Sequence, residues 1–394
     1  MKRLILLVFS ILIVISYIAG HSNHLSASPG PEFRVVWELS SNKNYQGQIQ
    51  RGAVDAQQRI TYIATRAALY EVKDDKKIRI IAQYPKEEKE AKLALAPGGG
   101  VYAWVIPHPS WRGLFLVRLF NISGNKIAEL SLKNKNPPHG FGALYLGFQG
   151  KLIVTATPLD DWEGIRGRFQ FTFWNQLGRI VNSVVLGGRH MAVLDPAGEA
   201  ILLLGDKEAI AFSHDGKELW RHPGKFRKAA IAKSGNLALL NPSSSQAIKQ
   251  VHIFMSSHEP TKVELPTPVH GLTLAADGSS AVVIGDQGRY FYLDPSAGKY
   301  QEGKRLPFDG TFYIFNSKFV DSQTLALGVQ HRTSKATWEK ATIIIIDQNG
   351  NPLFQKEFPL REATSFIPGI DVTFGSRFII GFTEDTTILM ELRE

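Results

Sequence analysis

Residues 189–221 (RHMAVLDPAGEAILLLGDKEAIAFSHDGKELWR) contain four short apolar runs separated by turn-forming residues. The three separating turns are DPAG at 195–198, GDK at 205–207 and HDG at 214–216. Gly, Asp and Pro supply the positive or fixed φ angles that tight hairpins require. The stretch therefore predicts a four-stranded antiparallel meander.

This unit recurs along the chain, and its repetition indicates a repeat architecture. Seven units are complete, the last unit has only three apolar runs, and the run FRVVWEL at 33–39 has no partner nearby. An open array would expose two sheet edges with unpaired backbone groups. Pairing 33–39 with the last unit, so that Val35 and Val36 lie beside residues 388–392, removes both edges.

The sequence thus predicts an all-β fold, an eight-bladed β-propeller closed by an N-terminal strand. Eight units over residues 33–392 take about 45 residues each, a usual length for a propeller blade. A seven-bladed ring is the alternative, if the irregular fifth unit merges with a neighbour.

The N-terminal segment has the pattern of an export signal. Lys2 and Arg3 precede an apolar run at residues 4–19, and a polar linker follows. The run is shorter than the roughly 20 residues of a spanning helix, so a cleaved signal and a retained membrane tether both stay open. We expect residues 1–27 to be a signal peptide or membrane anchor, 28–32 a linker, and 33–394 a single domain outside the cytoplasm, in the periplasm or at the cell surface.

Cysteine is absent and the net charge is +9. The absence of cysteine excludes disulfides, thiolate metal sites, cysteine nucleophiles and a lipid-modified cysteine anchor. The positive charge favours anionic surroundings such as lipid headgroups or cell-wall polymers, or serves solubility alone. The basic residues are not concentrated in one stretch, so the sequence does not indicate a nucleic-acid partner. We expect a monomer without a cofactor.

The repeated turn motif carries a resemblance to known families. Asn/Asp-x-x-Gly turns follow an apolar strand and precede a strand that opens with a charged or aromatic residue, as in SHDGKELW and IDQNGNPLF. Their repetition over residues 33–392 resembles β-propellers of the quinoprotein-like (PQQ-like) and WD40-like kind.

Eight-bladed members of this kind include quinoprotein dehydrogenases and an outer-membrane-assembly scaffold lipoprotein. The dehydrogenases carry an adjacent cysteine pair and a Trp-docking motif in most blades, whereas only Trp220 occupies that position here. The lipoprotein needs an N-terminal cysteine, which this chain lacks. Neither function therefore transfers residue by residue.

In such a ring, loops between the second and third strands of each blade share one face with the links between blades. Four long insertions fall at these positions, at 107–113, 158–168, 241–249 and 331–340. All four are expected to project from the same face. Long loops on a rigid scaffold are common binding sites.

Three of the four insertions contain both tryptophan and arginine. These residues are enriched at binding hot spots because they bury much area with few rotors. The alternative is that each tryptophan folds back over the edge of its own blade. The predicted partner-binding residues are Trp111, Arg112, Trp162, Arg166, Arg168, Arg332 and Trp338.

The sequence therefore predicts a non-catalytic scaffold that binds a protein or an anionic envelope polymer. The competing class is a propeller enzyme, a hydrolase or a quinone- or metal-dependent oxidoreductase, with a site in the central channel. Such a site would need His, Asp or Glu from the first strands of several blades. Those strands offer only His190, His270 and Asp371.

Other candidate sites have simpler explanations. His214 and Asp215 form a possible dyad but lie in a predicted hairpin turn. Asp160, Asp161 and Glu163 could bind calcium through hard oxygens, but their spacing matches no known loop and favours a solvated acidic tip. The histidines are scattered without metal-binding spacing. We assign no catalytic residue and no metal site.

Overall fold

The fold is taken from a computed structural model of the chain. It describes residues 32–40, 43–44, 46, 48–83, 91–107, 114–133, 143–159, 167–188, 191–244, 248–256, 259–308, 310–332, 338–359 and 368–393.

These residues form an eight-bladed β-propeller in which every blade is a four-stranded antiparallel sheet. The blades follow one another along the chain, and the first strand of each lies nearest the centre. The strands of blades 1 to 4 are β2 (Ile49–Asp55), β3 (Ile60–Thr65), β4 (Ala68–Lys73) and β5 (Ile78–Gln83); β6 (Lys92–Leu95), β7 (Val101–Pro107), β8 (Leu114–Asn121) and β9 (Lys126–Lys133); β10 (Ala143–Leu146), β11 (Ile153–Pro158), β12 (Gly167–Trp174) and β13 (Ile180–Gly188); and β14 (Met191–Leu194), β15 (Ala200–Leu204), β16 (Glu208–Ser213) and β17 (Glu218–Pro223).

Blade 8 differs from the others because both ends of the chain contribute to it. The strands of blades 5 to 8 are β18 (Phe226–Ile231), β19 (Leu237–Pro242), β20 (Gln250–Met255) and β21 (Thr261–Glu264); β22 (Gly271–Leu274), β23 (Ala281–Ile284), β24 (Tyr290–Asp294) and β25 (Lys299–Glu302); β26 (Thr311–Phe319), β27 (Thr324–Arg332), β28 (Trp338–Asp347) and β29 (Pro352–Pro359); and β30 (Gly369–Val372), β31 (Phe378–Phe382), β32 (Thr386–Arg393) and the N-terminal β1 (Glu32–Ser40).

Closure of the ring by the N-terminal strand is confirmed. β1 pairs antiparallel with β32, so that Val35 lies opposite Met390 and Trp37 opposite Leu389, with a bulge at Val36. The first strand β30 in turn contacts both β26 and β2, the first strands of its neighbours. The seven-bladed alternative is wrong, because β18 to β21 form a complete sheet of their own.

The residues of the turn between the third and fourth strands explain its conformation. In blade 3, Oδ1 of Asn175 accepts the backbone N–H groups of Leu177 and Arg179 at 3.0 Å each. Gly178 adopts a φ of 72° and donates its N–H to the carbonyl oxygen of Asn175 at 3.0 Å. The register then shifts by one residue, so the turn ends in a bulge.

The same turn occurs at Ser213 to Lys217 in blade 4, where Gly216 has a φ of 77° and donates to the carbonyl oxygen of Ser213 at 2.9 Å. Asp215 accepts a hydrogen bond from Oγ of Ser213 within this turn. The structure thus gives His214 and Asp215 a role in a hairpin turn.

Two kinds of connection lie on the face of the ring opposite these turns, which is here called the loop face. They are the turns between the second and third strands and the links between blades. The N–H of Asp206, in such a turn of blade 4, donates to the carbonyl oxygen of Gly187 at the end of blade 3 at 2.7 Å. The N–H of Gly224, after the last strand of blade 4, donates to the carbonyl oxygen of Lys207 at 2.7 Å. Because the strands of each blade alternate in direction, the second strand of every blade ends and the third begins at this face. Within the described ranges, no helix is long and apolar enough to cross a bilayer.

Candidate binding site on the loop face

The ring separates the predicted binding residues into two groups. Arg168 lies at the start of β12 in blade 3, whereas Arg332 ends β27 and Trp338 begins β28 in blade 7. Blades 3 and 7 are four positions apart in a ring of eight and lie opposite each other. These residues belong to one face but cannot contact one small ligand. Four of the predicted residues lie outside the described residues: Trp111, Arg112, Trp162 and Arg166.

Trp338 belongs to an aromatic cluster, defined by Tyr313, Phe315 and Trp338, within blade 7. Its ring meets the rings of Tyr313 and Phe315 edge-on, with centroid distances of 5.9 Å and 5.5 Å. Phe315 is nevertheless 43% exposed, because it occupies a bulge of β26 between Ile314 and Asn316. The cluster is therefore a rigid aromatic surface that is partly open to solvent.

A cavity of about 480 Å³ lies between blades 6 and 7 beside this cluster. Tyr313 belongs to both, so the cavity and the aromatic cluster form one continuous surface. Its walls come from a second-to-third strand turn, from the link that follows β25 and from the start of β26. The lining residues are Gln287, Gly288, Arg289, Tyr290, Glu302, Gly303, Lys304, Arg305, Gly310, Thr311, Phe312 and Tyr313.

Three of the four charged side chains that line the cavity are cationic. Arg289 binds Glu302 in a bidentate pair at 2.7 Å and 2.9 Å, which raises the pKa of Arg289 and lowers that of Glu302. Nζ of Lys304 donates to Oδ1 of Asn351 at 2.9 Å, and Arg305 is exposed. A partner group with negative charge fits this wall best.

Tyr290 adds a buried hydroxyl to the wall of the cavity. The residue is 1% exposed, and its hydroxyl has no hydrogen-bond partner among the described residues. Burial, with a smaller contribution from Asp347, raises the pKa of Tyr290 to about 12, so the phenol is neutral at physiological pH. A Cβ atom at Gly303 would lie 2.1 Å from Cε2 of this ring, so glycine is needed where the chain leaves β25.

A second polar group, Thr267, His270 and Asp286, lies on the same face next to the cavity turn. Asp286 pairs with His270, which lowers the pKa of the Asp286 carboxyl. Its other carboxylate oxygen accepts Oγ1 of Thr267 at 3.1 Å, and Oγ1 accepts the N–H of Asp286 at 3.1 Å. These bonds anchor the link before β22, which contains Thr267, to the turn after β23, which contains Asp286. The threonine hydroxyl is bonded to the carboxylate and is therefore not a nucleophile activated by His270.

His331, which immediately precedes Arg332 in the chain, packs behind the cavity wall. It is 4% exposed, its ring packs edge-on against Phe308 at 4.7 Å, and Nε2 lies 2.8 Å from Oγ1 of Thr342. Phe308 packs in turn against Phe312 in the cavity wall at 5.2 Å. Burial is the main cause that lowers the pKa of His331, and Lys340 adds to it, while Glu357 and Glu339 oppose it.

We expect His331 to make the protein less stable in acid. Its pKa is lower in the folded state, so below the unfolded value of about 6.5 the unfolded chain binds more protons and stability falls as pH falls. His331→Gln, which cannot titrate, should reduce the acid loss by up to about 1.4 kcal/mol per pH unit between that value and the folded pKa. Urea unfolding at pH 8, 7, 6 and 5 tests this. A constant difference between the two proteins from pH 8 to 5 would contradict it.

Comparisons with known proteins bear on the fold. No family model matches the chain, and no curated protein matches it. Among solved structures, BamB from Moraxella catarrhalis aligns with a TM-score of 0.52 and 12% sequence identity, over 91% of this chain and 99% of that chain. The chain is similar in fold to BamB. Within the part of the chain that the structure describes, no three His, Asp or Glu residues are grouped to hold a metal ion.

Proposed function

We propose that this chain is a non-catalytic, extracytoplasmic β-propeller scaffold that binds a protein partner through its loop face. The observation that carries the proposal is the aromatic cluster, whose exposed Phe315 adjoins a cavity with a cationic wall. Proteins seldom expose a rigid aromatic surface beside a pocket without a partner for it. The N-terminal segment 1–27 is the basis for placing the domain outside the cytoplasm.

The arrangement suits binding for an energetic reason. Phe315 and Trp338 are held in place by their own blade, so little side-chain entropy is lost when a partner covers them. The cavity accepts a side chain of the partner, and Lys304 and Arg305 favour an acidic one. We propose that Arg168, Arg332 and the tryptophan-containing loops of blades 2 and 3 extend the contact across the same face.

An anionic envelope polymer is the second candidate, because the net charge of +9 and the cationic cavity wall favour it as well. Binding to such a polymer would weaken steeply with salt. Binding of a protein through Phe315 and Trp338 would be less sensitive, because burial of apolar area drives it.

The described residues also support a non-catalytic role. Oδ2 of Asp371 lies 3.3 Å from the backbone nitrogens of Val54 and Gly98, and Gly98 lies in a turn on the face opposite the loop face. His270 lies on the loop face and is paired with Asp286. These two of the three candidates therefore lie at opposite ends of the central strands and cannot act on one substrate, and the third, His190, lies outside the described residues. Metal analysis and an absorbance scan of the purified protein are expected to show no stoichiometric metal and no chromophore.

The proposal predicts that partner capture depends on the aromatic cluster. The variant that combines Phe315→Ser with Trp338→Ala should lose at least about 90% of the partner recovered from native membranes, since truncating a hot-spot aromatic costs about 2 kcal/mol or more. Ile80→Ser is the matched control, because Ile80 is 48% exposed but lies on the outer strand β5 of blade 1. Circular dichroism verifies folding. Equal recovery by both variants would contradict the proposal.

A further inference from the structure

A second cavity lies between blades 1 and 2. Its volume is about 570 Å³, which is within the usual range for a small-molecule pocket. Most of its wall comes from β3, β4 and β5 of blade 1, and the turns that follow β4 and β8 border it. Turns of this kind, between a third and a fourth strand, lie on the face opposite the loop face. The cavity is therefore separate from the binding site proposed above.

The strand register brings three polar side chains into one row on the side of blade 1 that faces blade 2. Tyr62 of β3 pairs with Glu71 of β4, and Glu71 pairs with Arg79 of β5. Residues paired in this way lie on the same side of a sheet. Tyr62 packs in a cluster with Leu95 and Tyr102 of blade 2, so this side faces that blade.

In blade 4 the same row is apolar and packs against the next blade. Ala211 occupies the position of Glu71, two residues before the turn, and it pairs with Trp220. Trp220 is 7% exposed, and its Nε1 donates to the carbonyl oxygen of Gly235 in blade 5 at 2.5 Å. Blade 1 has Arg79 at the paired position instead of tryptophan, and a cavity lies beside it.

Stability does not explain the charged row. Glu71 is 6% exposed, and its carboxylate accepts a hydrogen bond from Nη2 of Arg79 at 2.7 Å. An ion pair that buries a carboxylate is often no more stabilising than apolar residues of similar size. The row in blade 4 is built from such apolar residues. The charges of blade 1 therefore indicate a function for the cavity.

Three hydrogen-bond donors at the cavity are available to a ligand. The side chain of Arg79 is 65% exposed, and among the described residues its guanidinium donates only to Glu71. Lys73 is exposed and forms no ion pair with a described residue. Tyr62 is 1% exposed and lines the cavity, and its hydroxyl has no hydrogen-bond partner in the described ranges.

The hydroxyl of Tyr62 is a donor at physiological pH. Burial raises the pKa of Tyr62, the charges of Asp55 and Glu71 add to this shift, and the charge of Arg79 opposes it. The phenol is therefore neutral and keeps its proton. A neutral phenol beside a guanidinium suits a ligand that accepts hydrogen bonds.

The charge of the wall fits a ligand with one negative charge. The lining side chains Lys73, Lys77 and Arg79 are cationic, and Glu71 is anionic. Lys77 is paired with Asp75 at 2.7 Å, and Arg79 is paired with Glu71. The charge that remains without a partner is that of Lys73. A carboxylate supplies the matching charge, and its two oxygens fit the fork of a guanidinium.

We propose that this cavity binds a small organic acid. The carboxylate of the acid accepts hydrogen bonds from Arg79, Lys73 and the hydroxyl of Tyr62. Its apolar body packs between Ile60 of blade 1 and Ile122 of blade 2, which also line the cavity. This binding does not depend on the partner proposed for the loop face.

The test uses the whole protein and three small probes in ligand-observed NMR titrations. Benzoate is expected to bind saturably. Benzamide has nearly the same shape without the charge, and acetate has the charge without the apolar body. Each should bind at least about tenfold more weakly than benzoate. Absence of saturable benzoate binding would overturn the proposal, as would equal binding of benzamide or acetate.

Tyr62→Phe removes only a hydroxyl that has no partner among the described residues, so urea unfolding should show unchanged stability. Benzoate binding should weaken about tenfold, because a hydrogen bond to a charged group is lost. Tyr300→Phe on the outer strand β25 of blade 6 is the matched control and should bind as the unmodified protein does. Equal affinities of the two variants would contradict the assignment of the carboxylate to this hydroxyl.

Two further variants test the cations. Lys73→Met should weaken benzoate binding at least about threefold, whereas Lys217→Met, in the corresponding turn of blade 4, should leave it unchanged. Arg79→Met alone would leave Glu71 buried without its partner, so it is combined with Glu71→Gln. This double variant should weaken binding at least about tenfold. Circular dichroism verifies folding. Unchanged affinity in the folded double variant, or an equal loss in Lys217→Met and Lys73→Met, would overturn the proposal.

Discussion

Trp37→Ala is expected to lower the free energy of unfolding by about 3–5 kcal/mol. Trp37 is 2% exposed and packs in a cluster with Ile49, Phe382 and Leu389. Truncation would leave a cavity between blade 8 and blade 1, which both contribute residues to this cluster. Because this contact lies where the ring closes, its loss weakens the packing of blade 8 on blade 1.

Chemical denaturation followed by circular dichroism measures this effect. Val35→Ala on the same strand is the matched control, because Val35 is 38% exposed, and its cost should stay below about 1 kcal/mol. Nε1 of Trp37 is buried without a hydrogen-bond partner among the described residues. Trp37→Phe, which removes that group, should therefore cost much less than alanine. Equal losses for Trp37→Ala and Val35→Ala would show that β1 does not stabilise the ring.

Asp371→Ala is expected to cost about 3 kcal/mol. Asp371 is 4% exposed, and its carboxylate in blade 8 lies within hydrogen-bond distance of the N–H groups of Val54 in blade 1 and Gly98 in blade 2. Alanine would leave both donors without this acceptor at the centre of the ring. Asp371→Asn keeps an acceptor oxygen and should fall between alanine and the unmodified protein.

Asp371 also favours the charged form of Lys318 on the neighbouring first strand β26. Burial lowers the pKa of Lys318, and the negative charge of Asp371 opposes this shift. In Asp371→Ala the pKa of Lys318 should fall further. Its folded pKa is then more depressed, so stability rises with pH from that value up to the unfolded value of about 10.4. The difference from the unmodified protein should therefore narrow as pH rises from the folded pKa of Lys318 in the variant to its folded pKa in the unmodified protein, and stay constant above that.

Asp277→Ala is the control for this prediction. Asp277 is exposed, and among the described residues its carboxylate accepts the N–H and Oγ of Ser279 within its own turn. Its loss should cost about 1 kcal/mol or less. Urea midpoints at pH 7 and pH 9 distinguish the two positions. If Asp371→Ala costs no more than Asp277→Ala, the carboxylate does not join the three blades.

The candidate site was only partly visible in the sequence. Trp338 and Arg332 were predicted from the composition of a long loop. Phe315 and Tyr290 were missed, because an aromatic residue inside an apolar run is normally interpreted as a residue of the hydrophobic core. A bulge in β26 exposes Phe315, and the packing of blade 6 on blade 7 buries the hydroxyl of Tyr290 beside the cavity. Neither effect has a local sequence signal.

The sequence alone determined the local structure of this protein and, through it, the architecture. Turn residues such as Asn175 and Gly178 act over a few bonds, and apolar runs between them define strands. An unpaired run at the start and a missing strand at the end then require a closed ring. The tertiary structure decided which side chains meet and which stay exposed, because packing between blades joins residues far apart in the chain. Electrostatic partners such as Asp371 with Gly98, 273 residues apart, exist only once the ring is closed.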